Sequence, residues 1–158
     1  MRIVVGMIAA VLAGGSATLA VAQHQHGHDM TAPGAPDARQ LVKFPPALIE
    51  HTLANMRDHL QTLQEMQAQL GIGHPDVAAR IAEARLGLSS LELHDAAEVA
   101  RYMPQGMQDA GTAMHRAASR FAITAQDAAV TGELKPVLAA LADITAQCVG
   151  CHAGYRLK

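Results

Sequence analysis

Both cysteines of the chain lie in one short run, Cys148-Val149-Gly150-Cys151-His152. Two thiols three residues apart can add across the vinyl groups of a porphyrin, and the adjoining imidazole can coordinate its iron, which is the chemistry of c-type haem attachment. Residues three and four apart share a helical face, so Cys148, Cys151 and His152 can all address one flat macrocycle. Other uses of the pair fit less well. A disulfide-exchange pair belongs near the start of a helix in a βαβ context, where the helix dipole lowers a thiol pKa. A structural zinc site needs four ligands, and no obvious fourth accompanies these three. Two buried core cysteines beside a histidine would not require this spacing. One covalent haem c is the expected cofactor.

The elements that must position this motif are helical. From Phe44 onward, prolines recur at positions 45 and 46, 75, 104 and 136, at nearly equal intervals, and proline is favoured in the first turn of a helix. That spacing predicts an all-α four-helix bundle over residues 44–158, with the haem near the C-terminus of the last helix. Apolar periods agree. Ile49, Leu53, Met56, Leu60, Leu63, Met66 and Leu70 form a stripe that should stop at Gly71-Ile72-Gly73. Met103, Met107, Ala110, Met114, Ala117 and Phe121 form another. A further stripe, Leu134, Leu138, Leu141, Thr145, Cys148, His152 and Tyr155, predicts that the haem-binding residues continue the buried face of the last helix. The second helix reads as one broken rod from Pro75, interrupted at Gly87 and Ser89-Ser90 and continued over about residues 91–102.

Composition sets the compartment and excludes some partners. The chain has 158 residues, with two Phe, two Tyr and no Trp, an aliphatic and Met-rich makeup that favours helices. Residues 1–22 read as a cleaved export signal: Arg2, an apolar run from Ile3 to Ala13, then Ala20-Val21-Ala22 before Gln23. The run is short for a membrane span, so the mature chain is expected to be periplasmic and not membrane-inserted. The formal net charge is only −2, which argues against nucleic acid as a partner. Residues 23–43, rich in His, Gly, Pro and Ala, read as a disordered leader. His24, His26, His28, Asp29 and Met30 within it could bind copper or zinc, against the plainer reading of a soluble tether.

Cys-x-x-Cys-His near the C-terminus, followed by Tyr155 and Arg156 on the last of four helices, resembles the class II cytochromes c, the cytochrome c prime family and its low-spin relatives. The resemblance covers roughly residues 44–158. It implies thioether bonds from Cys148 and Cys151, proximal iron ligation by His152, and Arg156 beside the proximal haem face. It also implies that the first helix covers the distal face, with an apolar residue in high-spin members and a methionine in low-spin ones. Leu53-Ala54-Asn55-Met56 is the corresponding stretch. The arginine usual there is absent, since Ile49, Glu50 and Thr52 hold its places. Pairing of two copies through the first two helices is a further implication.

The residue opposite His152 decides the function. Met56 can offer a thioether sulfur and raise the reduction potential, though methionine is also a common core filler, as at Met66 and Met114. Leu53 would leave an open, apolar site. His59 or His51 are other candidates, and Arg57 could serve a haem propionate, with Arg101, Arg116 and Arg120 as competitors. His115 and Arg116 read as surface residues. The expectation is a periplasmic monohaem electron carrier that cycles between Fe(II) and Fe(III) with redox partner proteins, and not an enzyme. The alternative is a five-coordinate haem protein binding nitric oxide or carbon monoxide. Copper or zinc handling by the leader is a lesser one.

Overall fold

Proline sets the helix starts in the computed structural model, which describes residues 36–158. Helix α1 (Pro46–Gly71) follows Pro45 in an extended conformation, α2 (Pro75–Arg85) begins on a proline, and α4 (Gln105–Thr131) follows Pro104. Helix α5 (Leu134–Gly154) carries Pro136 in its first turn. At these positions the missing N–H would have had no intrahelical acceptor. Glycine does the stopping. Gly73 and Gly132 take φ of 80° and 77°, a left-handed backbone that other residues adopt at a cost, and they end α1 and α4. The described residues are therefore all-α, apart from two strands of three residues each.

Helix α1 packs on α2, α2 on α4, and α4 on α5, whereas α1 and α5 barely touch. The larger core cluster explains the tight part of this order. Ala78, Ala79 and Ala82 of α2 and Ala117, Ala118, Ala122 and Ala125 of α4 are buried, so the two backbones approach closely and Met66, Phe121 and Ile144 fill what remains. A second, smaller cluster gathers Val42, Phe44, Val99 and Met107 near the start of α1 and the end of α5.

Three expectations change. In α5 the buried residues are Val137 and Ile144, while Leu134 and Leu138 are 40% and 57% exposed, so the core face is rotated from the leucine stripe. Branched residues at 137 and 144 pack the alanine-lined interface, and Cys148 continues their line against the larger cluster. Second, α2 does not resume as a kinked rod. A 3₁₀ turn at Leu88–Ser90, a left-handed Asp95 (φ 48°) and the five-residue α3 (Ala96–Ala100) bring the chain back on itself. His94 then reaches the carbonyl of Arg85 at 2.9 Å. Nine residues of straight helix would span roughly 13 Å, too far for that bond.

Third, the end of the stretch read as a leader is ordered. Strand β1 (Gln40–Val42) pairs in parallel with β2 (Tyr155–Leu157), with Gln40 opposite Tyr155 and Val42 opposite Leu157. Tyr155 accordingly begins a strand instead of ending the α5 stripe. Residues 1–35, including the export segment and His24, His26, His28, Asp29 and Met30, lie outside the described residues. Helix α5 is long and apolar enough, by length and composition, to cross a membrane.

Candidate functional site

Because α1 and α5 stand apart, a cavity of about 830 Å³ opens between them. Helix α5 supplies Gln147, Cys148, Cys151 and His152, and α1 supplies Thr52, Asn55, Met56, His59, Leu60 and Leu63. Met103, Met107, Met114 and His115 line it from α4 and the residues before it, with His94 and Val99 from the α2–α4 connection. Most of the lining surface is apolar, with polar groups set among it from α1, α4 and α5. The volume falls within the roughly 300–1,000 Å³ usual for cofactor pockets.

On the α5 side, Cys148 packs against the larger core cluster and Cys151 against the smaller one, so the motif sits at the seam between them. Both thiols are free and partly buried. Burial pushes both thiol pKa values up, and for Cys151 the neighbouring Cys148 adds to the effect. They are therefore held as thiols, the opposite of the lowered pKa that disulfide exchange needs. Cys148 Sγ points at the carbonyl of Ile144, 3.7 Å away. His152 is exposed and lines the same space.

The facing side is built differently. His59, His94 and His115 come from three separate segments and cluster together, with ring centroids 4.5 Å apart for His59 and His94, 6.0 Å for His59 and His115, and 5.9 Å for His94 and His115. His115 is 7% exposed and donates from Nδ1 to the carbonyl of Leu86 at 2.8 Å, so its Nε2 carries a lone pair. His115 is thus a buried residue, not the surface residue expected. His94 donates from Nε2 to the Arg85 carbonyl, and the same nitrogen lies 3.3 Å from His59 Nε2. Burial, followed by the two neighbouring imidazoles, lowers the pKa of His59 to about 4. Burial also lowers that of His115. Among the described residues, no three His, Cys, Asp or Glu side chains already surround one metal position.

Arg85 ties this side to α1. Its guanidinium pairs with Asp58 and, at 2.6 Å, with Glu65, while its carbonyl holds His94. Asn55 Nδ2 donates to the carbonyl of His94 at 3.1 Å. His51 lies outside the cavity lining, 3.4 Å from Asp95 and 3.3 Å from the His94 carbonyl.

Of the sequence-derived site residues, the fold brings Cys148, Cys151, His152, Met56 and His59 to one cavity; Leu53 and Arg156 are not among its lining residues. Arg156 lies in β2 with its Nε 3.4 Å from Asp37, whose carboxyl is held near pKa 2 chiefly by hydrogen bonds from Arg39. Arg57, Arg101, Arg116 and Arg120 do not line the cavity either. His94 and His115 are what sequence reasoning missed. They carry no local signal, because only the return of the chain after Arg85 brings them together. Compared with protein-family models, curated proteins and solved structures, the chain matches none.

Proposed function

We propose that residues 44–158 form a four-helix bundle, with α2 as its broken member, that binds one haem c covalently and carries electrons in the periplasm. The observation that supports this most is that both thiols and His152 line one cofactor-sized apolar cavity, with Met56 on the helix facing them. The residues suit the group. Half-buried, protonated thiols on one helical face are the reactants that thioether formation needs, and an imidazole one residue on is the usual axial donor. The resemblance to the class II cytochromes c points the same way.

The bound cofactor would supply the one-electron Fe(II)/Fe(III) couple. The chain's own residues do the rest. Cys148 and Cys151 would tether the group to α5, His152 would offer it a nitrogen, and Met56 a sulfur from α1. Val99, Met103, Met107 and Met114 line the same cavity and would exclude water from the group, which would keep reorganisation small. The gas-binding alternative drew on Leu53 facing the iron, and Leu53 does not line the cavity.

Expression with export, followed by a denaturing gel stained for haem, tests the reading. Covalent haem and a chain cleaved before Gln23 are the expected results; a haem-free protein overturns it. An oxidised spectrum with a sulfur-to-iron charge-transfer band assigns Met56 if Met56→Ala removes the band.

A further inference from the structure

We propose that the solvent face of α5 is the contact surface between two copies of this chain, packed antiparallel about a two-fold axis beside Ala139. The proposal does not rest on the haem reading. Of the 21 residues of α5 only Val137 and Ile144 are buried, and α4 is the one helix packed closely on it. The side turned to solvent is apolar. Leu138 is 57% exposed and Val149 69%, and Ala142 and Ala146 between them are exposed as well. Along the helix these positions advance by four, four and three residues, so they share one face. A continuous apolar face left to water marks an interaction site.

Charge decides what covers it. Lys135 and Asp143 are the only ammonium and the only carboxylate on α5, both are exposed, and they lie four residues either side of Ala139. Half a turn about an axis there sets each Lys135 beside Asp143 of the second copy. The same ion pair forms twice, as an isologous contact requires. Leu138, one residue from the axis, meets Leu138 of the second copy. A parallel pair would set like charges side by side and is disfavoured. A lipid bilayer offers Asp143 no such partner. Helices α1 and α2 carry four charged side chains each, so they are a poorer surface for the purpose. Both Cys-x-x-Cys-His motifs stay clear of the axis, because Cys148 and its counterpart are about 27 Å apart along the helices. The strip is about 31 Å long and ~10 Å wide, below the ~800 Å² per partner of a standard interface, so the dimer is reversible and micromolar.

The test is sedimentation velocity of the purified full chain from about 1 μM to about 1 mM. A monomer–dimer equilibrium is expected. Leu138→Glu should weaken it at least ~10-fold, and so should Lys135→Glu or Asp143→Lys alone, each of which brings like charges together twice. Lys135→Glu combined with Asp143→Lys should restore it, since the pair is rebuilt with its signs exchanged. A monomer throughout the range overturns the proposal, and so does a double exchange that fails to restore the dimer. A dimer indifferent to every single substitution is built on another face and overturns it equally. A monomer that floats with phosphatidylglycerol vesicles, and stops doing so in Leu138→Glu, gives the face to lipid and also overturns it. Circular dichroism checks that each variant keeps its helices; should Leu138→Glu lose them, the charge exchange decides alone.

Discussion

The two sides of the cavity are made by different means. On α5 the reactive groups follow one another in sequence, sit on one helix and are only partly covered. Opposite them, His94 of the α2–α4 connection and His115 of α4 are buried and tied to main-chain carbonyls, with the half-buried His59 of α1 against them. The first side is a local motif that would survive much change elsewhere. The second exists only while the helices are packed, so it reports on the fold.

The largest effect that would break this contrast is loss of the α5 motif. Replacing Cys148 and Cys151 together by Ala should abolish covalent haem, read by haem staining, while helicity by circular dichroism persists; retained covalent haem would show that the motif is not the attachment point. Next is Phe121→Ala, which empties a fully buried site in the larger cluster. It should cost about 3–5 kcal/mol in a urea melt. The histidine side should loosen with it, seen as loss of the separate imidazole proton resonances, while attachment at Cys148 and Cys151 stays.

Between pH 7 and pH 4.5, acid should act chiefly on the histidine side. An unfolded His59 takes up a proton near pH 6.5, but the folded one holds out to about 4. The unfolded state thus binds more protons between those values, and stability falls as pH drops through that window, by up to about 3 kcal/mol. Urea midpoints at pH 7 and pH 4.5 measure it, and His59→Gln should remove most of the difference. The smallest effect is Arg85→Ala, about 1 kcal/mol, since the guanidinium is a quarter exposed. A loss several times larger would mean that the pairs with Asp58 and Glu65 hold the histidine side in place.

Much of the helix plan was legible because its signals are local. Pro46, Pro75 and Pro104 sit at or beside helix starts, and Gly73 and Gly132 at stops. Cys148, Cys151 and His152 could be read from spacing alone. What was hidden depended on distant parts of the chain. The turn of α5 toward Val137 and Ile144 is set by the alanines of α2 and α4, not by its own leucines. Asp95 in a left-handed conformation gives no warning in sequence, yet it accompanies the return that delivers His94. Strand β1 is three residues long and pairs with a segment far along the chain, so no alternation announced it.

That pairing also sets where the molecule opens first. Two strands of three residues hold the start of the described chain against its end, and a short pair with so few bonds is low in local stability. Closing such a distant loop is slow in folding and easily undone. The strands abut the smaller cluster, against which Cys151 also packs, so their brief release loosens that cluster while the alanine-packed helices stay closed. Amide protons of Leu41 and Arg156 should exchange long before those of Phe121. The clasp is then the part of the fold that yields first, and the alanine-packed helices the part that yields last.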